Sequence, residues 1–279
     1  MIKQRTDPKT WLNITVDGNV IEQHIDQFPD GSFRWNLLDL PEAFDKVHVL
    51  ITLKTTLPEA IMAVYQALSA LDAVYIVSEV TLEVQTLPDQ RADRAEKEGM
   101  SIPARSTAAM LAGTGVDSII IYDAHSPVIV DYLKRYFRGV LIHIPPVTLF
   151  ASEMGNRRTP THIVAVDKGS IQRAETAAAE FGASVIYMDK IREEGKVIGH
   201  GIVAYDPDNK PDSRSVIWIV DDLCDGGATF ISAAEVILSN FECWELNLFV
   251  THGLFSKGKE ELNRHFENVV AYFDYSEGN

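Results

Sequence analysis

Residues 216–229 read VIWIVDDLCDGGAT, and this stretch decides the fold class of the chain. Its apolar start is typical of a buried strand, and a helix is predicted over residues 228–239. Asp221 and Asp222 stand where the predicted strand ends. Ligands of parallel sheets bind at the carboxyl ends of strands, so these two carboxylates are candidate binding groups.

The turn between this strand and the helix favours an anion. Gly226 and Gly227 let the backbone approach an anion closely, and Thr229 can donate its hydroxyl. The carboxylates cannot bind phosphate themselves, but they suit sugar hydroxyls or a metal that in turn binds phosphate. The combination indicates a phosphorylated sugar as ligand. The alternative is an ordinary strand–turn–helix unit with a capping aspartate.

The rest of the chain alternates short apolar runs with longer amphipathic ones. This order predicts an α/β fold of two tandem doubly wound parallel-sheet domains, over residues 1–146 and 147–279. The predicted strands are 15–20, 32–37, 47–53, 73–80, 118–122, 140–144, 161–166, 184–188, 216–220 and 246–250. The predicted helices are 59–70, 104–112, 128–136, 171–181 and 228–239, with a short one starting at Lys257. Residues 189–201 are charged and are predicted as a solvated loop.

Composition excludes several classes of function. The 279 residues include 25 Lys and Arg against 40 Asp and Glu, a net charge of −15. Because such a field repels nucleic acid and anionic membranes, neither is a predicted partner. Cys224 and Cys243 are too few for a disulfide framework. With no apolar run of about 18 residues and no secretory signal, we expect a cytoplasmic protein.

Further motifs occur on both sides of the first stretch. They are PDQRADR at 88–94, IPAR at 102–105, DAHS at 123–126, VAVDKG at 164–169, KIR at 190–192 and THGLFS at 251–256. In this order they resemble motifs of the ribose-phosphate pyrophosphokinases, the synthetases of 5-phosphoribosyl-1-diphosphate (PRPP). The resemblance extends over about residues 28–256 and implies two domains of phosphoribosyltransferase type.

The resemblance implies transfer of diphosphate from MgATP to the anomeric hydroxyl of ribose 5-phosphate, giving PRPP and AMP. Lys190 and Arg192 match the family's catalytic pair and would neutralise the transferring diphosphate from a mobile loop. The ribose and its 5-phosphate would be bound by Asp221, Asp222, Asp225, Gly226, Gly227, Ala228 and Thr229.

The resemblance also implies a nucleotide site and a magnesium site. His125 and Asp167 match positions that ligate Mg²⁺, and the position of His125 also lies near the ATP phosphates. The other positions that match ATP-binding residues are Phe28, Asp30, Ser32, Arg91 and Ala92. The family binds nucleotide across subunit interfaces, so a homo-oligomer is implied, as a dimer or a hexamer.

Three positions depart from the family pattern. Ser32 replaces a glutamate and Ala92 replaces a glutamine, both on the nucleotide side. Gly226 replaces a threonine, which suggests a more open phosphate site and an acceptor larger than ribose 5-phosphate, such as ADP-ribose. Two further alternatives stay open: a phosphoribosyltransferase that consumes PRPP, and a catalytically silent regulatory homologue that binds nucleotide.

Overall fold

The structure is a computed structural model that describes residues 11–40, 42, 46–55, 59–193 and 196–276, with only the backbone for Arg192, Lys196 and Val197. The chain divides into two compact units, Met1–Ile144 and Pro145–Asn279. Each unit is an α/β structure with its own six-stranded sheet. The predicted fold class is confirmed.

The sheet of the first unit has the strand order β2-β1-β5-β6-β7-β8. Strands β5 to β8 are parallel, while β1 runs antiparallel to β5 and forms a hairpin with β2. The strands are β1 (Leu12–Val16), β2 (Asn19–Val20), β5 (Val47–Leu53), β6 (Val77–Val84), β7 (Ser118–Tyr122) and β8 (Val140–Ile144). The helices are α1 (Glu59–Asp72), α2 (Pro103–Ala112) and α3 (Pro127–Tyr136).

A second hairpin of this unit forms a separate two-stranded sheet from β3 (Glu22–Gln27) and β4 (Phe33–Leu38). Gln66 on α1 fixes it: its Oε1 accepts the N–H of Trp35 at 2.8 Å, and its Nε2 donates to the carbonyl of Phe33 at 3.1 Å. A turn that contains Asp30 and Gly31 joins the two strands.

The sheet of the second unit has the strand order β11-β10-β9-β12-β13-β14. All neighbours are parallel except β11, which runs antiparallel to β10 at one edge. The strands are β9 (His162–Ala165), β10 (Ser184–Glu193), β11 (Lys196–Ala204), β12 (Val216–Cys224), β13 (Glu245–Gly253) and β14 (Asn268–Asp274). The helices are α4 (Pro146–Met154), α5 (Ile171–Phe181) and α6 (Ala228–Asn240).

Helix α4 is not among the predicted helices, since the sequence Pro145-Pro146 is typical of an end to regular structure. Proline is tolerated at the first helical position, and here Pro146 begins the helix. Its Phe150 packs in the core against the rings of Phe181, Trp218 and Phe249. The helix therefore supplies a central part of the aromatic core of the second unit.

Other element boundaries also differ from prediction. Strand β6 begins four residues later than expected, since the end of α1 is followed by a turn before Val77. The helix predicted from Lys257 is wrong: only a short 3-10 turn at Leu262–Arg264 forms there. Strand β14 was not predicted. None of the described helices is long and apolar enough to cross a membrane.

Candidate functional site

The carboxyl edge of the second sheet gathers the predicted site residues of that unit. Strands β9 and β12 pair in parallel, with Trp218 opposite Ile163, so both reach the same edge. Asp167 follows β9, and Asp221 and Asp222 lie in the last part of β12. Helix α5 connects β9 to β10, on one side of the β9–β12 pair, and α6 connects β12 to β13, on the other side. This is the topological switch point at which ligands of doubly wound sheets bind.

Asp221 is the most perturbed carboxyl group of this edge. Its Oδ1 contacts Nη1 of Arg173, from the first turn of α5, at 3.2 Å, and it also accepts the N–H of Asp222 at 2.9 Å. Burial and then the neighbouring Asp222 carboxylate raise the pKa of Asp221 to about 8, and Arg173 only partly offsets them. Burial and Asp222 thus favour the neutral form of Asp221, and hydrogen-bond donors of a ligand would shift it toward the ionised form.

The turn after β12 has the shape of an anion-binding loop. Gly227 adopts φ +79° at the N-cap of α6, and as a glycine it has no side chain with which to cap the helix. The backbone N–H groups of the first turn, at Ala228 and Thr229, are therefore left for a ligand. Leu262 packs so closely on Gly227 that a Cβ there would lie 3.1 Å from its Cδ2. Glycine is thus required at this position on two grounds.

Cys224 has a structural role in this turn. Its side chain is fully buried, and the N–H of Gly227 bonds to its sulfur. Burial first, and then the carboxylates of Asp225 and Asp221, raise the pKa of the Cys224 thiol to about 12. Such a thiol is not a nucleophile at neutral pH.

The segment after β13 covers the turn and changes the picture of Gly226. The stem of Lys257 lies against Gly226, so that a Cβ at that position would meet the lysine Cδ and Cε at 3.3 Å. Gly226 therefore does not leave the phosphate site more open, contrary to the expectation from the sequence. The space of the absent side chain is filled from elsewhere in the chain.

Lys190 and Asp167 are brought together as an ion pair. Lys190 Nζ lies 2.5 Å from Asp167 Oδ2, and about a quarter of each side chain is exposed. The other oxygen of Asp167 accepts the N–H groups of Gly169 and Ser170 at the start of α5. Asp167 is thereby fixed in place, with Lys190 as its partner. The side chain of Arg192 lies outside the described part, and its catalytic role stays a prediction.

Lys190 is not on a loop. Residues 189–201 were predicted as a solvated, mobile loop, but most of them belong to the antiparallel strands β10 and β11, in which Lys190 pairs with His200. Cross-strand backbone pairing within this hairpin overrides the low apolar content of the segment.

His200, which lies opposite Lys190 in the β10–β11 pairing, is a residue of this region that the sequence analysis did not single out. It is 5% exposed, its Nδ1 is 3.1 Å from the hydroxyl of Ser232, and its Nε2 has no hydrogen-bond partner among the described residues. Burial, followed by the charge of Lys190, lowers the pKa of His200, while Asp167 and Asp189 act against this shift. His200 is therefore neutral at pH 7 and adds no charge beside Lys190.

In the first unit, the predicted motifs after β6 and β7 meet at the carboxyl edge of the sheet. The N–H of His125 donates to Gln90 Oε1 at 3.2 Å, and the hydroxyl of Ser126 donates to Asp93 Oδ2 at 2.5 Å. Burial of Asp93 disfavours its charge, but the hydrogen bonds from Ser126 and Arg94 outweigh burial and hold its pKa below the ordinary value. Residues 88–94 and 123–126 therefore form one structural cluster.

Two residues of this cluster have left-handed backbone conformations. Asp89 has φ +59° and Asp123 has φ +38°. Such conformations cost free energy in residues other than glycine and are concentrated at functional sites. Next to them, Arg91 and His125 are exposed, and Ala92 is half-buried. The cluster thus offers cationic and imidazole side chains to a ligand from a fixed backbone.

The remaining nucleotide-side residues lie in the turn of the β3–β4 hairpin. Asp30 accepts both the N–H and the hydroxyl of Ser32, at 3.0 and 2.7 Å, and these bonds lower the pKa of Asp30. Phe28 is 44% exposed, with the Arg34 guanidinium 6.0 Å from its ring centre. The described contacts of this turn are internal and do not include Arg91.

No three His, Cys, Asp or Glu side chains within the described ranges are gathered so as to hold a metal ion. His125 belongs to the first unit and Asp167 to the second. Their joint assignment to a metal stays a prediction.

Sequence reasoning missed three residues of these sites: Arg173, His200 and Lys257. An arginine in the first turn of the helix after a strand-end aspartate is a readable signal for Arg173. The other two reach the site only through tertiary pairing, which local sequence does not encode.

Comparison with known proteins agrees with this geometry. The phosphoribosyl transferase domain model matches residues 148–273. The ribose-phosphate pyrophosphokinase of Pyrococcus abyssi is 28% identical over 260 residues, which cover 92% of this chain and 85% of that protein. The enzyme of the same name from Maricaulis maris is 26% identical, covering 92% and 80%.

A solved structure has a similar fold. Phosphoribosylpyrophosphate synthetase from Mycobacterium smegmatis superposes with a TM-score of 0.73 at 22% identity, over 91% of this chain and 81% of that chain. That likeness shows a common fold. Together with the ordered motifs, the sequence relatives show that the chain is similar to the ribose-phosphate pyrophosphokinases over most of its length.

Proposed function

We propose that the protein transfers diphosphate from MgATP to the anomeric hydroxyl of ribose 5-phosphate, giving PRPP and AMP. The observation that carries this proposal is the junction of β12 and α6, where paired carboxylates stand beside an uncapped helix start. A ribose phosphate carries hydroxyl groups on one side of its ring and a phosphate on the other. The hydroxyl groups match the carboxylates of the junction, and the phosphate matches the helix start.

The acceptor is bound by the two halves of the junction. Asp221 and Asp222 accept hydrogen bonds from ribose hydroxyls, which favour the ionised form that burial now disfavours. Asp225 and Gly226 lead into the turn, and the amides at the start of α6 bind the 5-phosphate together with the Thr229 hydroxyl. The anomeric hydroxyl of the bound acceptor is the group to which diphosphate is transferred.

The reaction is an in-line displacement at the β-phosphorus of ATP. A bond forms between the anomeric oxygen and the β-phosphorus, and the bond from that phosphorus to the oxygen bridging to the α-phosphorus breaks. The bridging oxygen leaves on AMP, and the hydroxyl proton is released. Lys190, with Arg192, stabilises the charge on the transferring group, so Lys190 must exchange its contact with Asp167 for one with the diphosphate.

The donor set also fits magnesium. Mg²⁺ prefers oxygen ligands and is usually held by one or two carboxylates together with substrate phosphates, so a three-residue cluster is not required. Asp167 supplies such a carboxylate, whereas the imidazole of His125 is a poorer ligand for a hard cation. When bound, the ion neutralises phosphate charge during transfer.

The donor nucleotide is assigned to residues of the first unit. Phe28 offers an exposed ring for stacking, and Arg91 offers a guanidinium to phosphate. Asp30 is ionised and available as a hydrogen-bond acceptor. Ser32 and Ala92 make smaller contacts than the residues they replace, and we therefore expect weaker discrimination between nucleotides. A homo-oligomeric assembly remains a prediction.

An acceptor panel tests this function. The protein is incubated with MgATP and, separately, ribose 5-phosphate, ADP-ribose or no acceptor, and AMP is quantified by chromatography. We expect AMP with ribose 5-phosphate, and about 10²–10³-fold slower AMP formation with the Lys190→Ala variant. AMP formed with ADP-ribose but not with ribose 5-phosphate would show that the acceptor is the larger molecule. Consumption of PRPP with a nucleobase, and no AMP, would instead indicate a phosphoribosyltransferase.

A further inference from the structure

We propose that Lys257 is a ligand of the acceptor's 5-phosphate and sets the affinity of the second unit for phosphorylated sugars. The assignment rests on the proposed function, which places the 5-phosphate at the turn after β12. It adds to that turn a cationic side chain from a segment more distant in sequence. The geometry that supports it is independent of the motif itself.

Backbone hydrogen bonds fix the segment that carries Lys257 onto the turn. The N–H groups of Leu254 and Phe255 donate to the carbonyl of Cys224 at 2.8 and 3.2 Å, and the N–H of Ser256 donates to the carbonyl of Asp225 at 3.2 Å. The N–H of Gly258 closes a tight turn on the carbonyl of Phe255 at 2.8 Å. Lys257 is thereby held over the residue that follows Asp225.

The lysine stem and Gly226 fit each other. The Cγ, Cδ and Cε atoms of Lys257 lie 3.6, 3.3 and 3.3 Å from the position that a Cβ of Gly226 would take. Most real Cβ contacts are longer, so a larger residue at 226 displaces the stem. Gly226 thus leaves room for Lys257 along the turn, next to the amides at the start of α6.

The charge of Lys257 is available to a ligand. The side chain is exposed, and it has no ion pair or hydrogen bond to any described residue. Lys259, two residues on, is instead paired with Asp274 and lies over the ring of Phe255. A chain of net charge −15 needs a local cation wherever it binds phosphate, and an ammonium group is a suitable point charge.

Calorimetric binding of ribose 5-phosphate to the full-length protein tests the assignment. Lys257→Met keeps the stem over Gly226 and removes only the charge, while Lys257→Arg keeps the charge. Lys210→Met serves as the matched control, since Lys210 is exposed and precedes β12 at the opposite edge of the sheet. We expect Lys257→Met to weaken binding about tenfold, as for a lost charge-assisted contact, with the arginine variant and the control near wild type.

A second variant separates charge from position. Gly226→Val pushes the lysine stem aside, and we expect it to weaken binding in the wild-type background but to add little to Lys257→Met. Full additivity of the two substitutions would contradict the proposed contact.

The outcomes distinguish this assignment from the proposed reaction. Equal affinity of wild type and Lys257→Met overturns the lysine assignment and leaves the reaction standing. Wild-type binding without AMP formation overturns the reaction, while the effect of Lys257→Met on binding still decides the assignment. If wild type binds neither ribose 5-phosphate nor inorganic pyrophosphate, both are wrong.

Discussion

Replacing Gly227 by alanine perturbs the centre of the phosphate turn at two points. A non-glycine residue in the left-handed region costs about 1–2 kcal/mol, and Gly227 has φ +79°. The new Cβ would also lie 3.1 Å from Leu262 Cδ2, and Leu262 is 2% exposed within the core, so it has little room to retreat. Overpacking of this kind costs about 1–3 kcal/mol. We expect Gly227→Ala to lower the free energy of unfolding by about 2–5 kcal/mol in total.

Gly182→Ala is the matched control. Gly182 ends α5 with φ +66°, and a Cβ there meets nothing within 4 Å, so only the backbone cost applies. Urea unfolding followed by tryptophan fluorescence gives both free energies. Only Gly227→Ala should also raise the KM for ribose 5-phosphate, because only it distorts the turn. Equal stability losses and unchanged KM values in the two variants would refute the reasoning.

Further predictions concern charge. Lys190→Ala should lower kcat about 10²–10³-fold while calorimetry shows ATP still bound, because the ammonium acts on charge that develops in transfer; unchanged turnover would remove Lys190 from the mechanism. The pKa of Asp221 is raised to about 8 from 3.8, so the native state holds the proton more tightly and stability falls as pH rises through that window. In thermal unfolding, Asp221→Asn should therefore gain stability relative to wild type between pH 5 and 8, and parallel curves would contradict this. Burial lowers the pKa of His200 in the native state below the value of 6.5 that it has when unfolded, so stability is lost as pH falls below about 6.5. His200→Gln should therefore flatten the pH dependence of urea unfolding below that pH. An unchanged slope would show that His200 takes up its proton without cost.

Much of the fold could be predicted because the central parallel strands, β9, β12 and β13, are buried on both faces for most of their length. Strand β7 and helix α5 were predicted at their observed bounds, since each is a clear apolar or amphipathic run with marked ends. Strand β12 was predicted too short, because Asp221 and Asp222 interrupt the apolar pattern although their backbone continues the pairing with β13. Where polar ligand-binding residues lie within the last part of a strand, the apolar pattern ends before the strand does.

The missed elements depend on tertiary contacts. The hairpin of β10 and β11 is charged and weakly apolar, and cross-strand pairing rather than local propensity forms it. The same holds for the site. Motif spacing predicted that Asp167 and Asp221 lie on one edge, but it did not show that Lys257 fills the space beside Gly226. That contact reversed the expectation of a more open phosphate site.

The most direct test of the account is ³¹P NMR of the purified protein with MgATP and ribose 5-phosphate. The account predicts that the ATP signals are replaced by AMP and by a diphosphate attached to C1 of ribose 5-phosphate, with β- and γ-phosphorus moving together. ADP in place of AMP, or ATP that persists beside unchanged ribose 5-phosphate, would contradict transfer of diphosphate by this site.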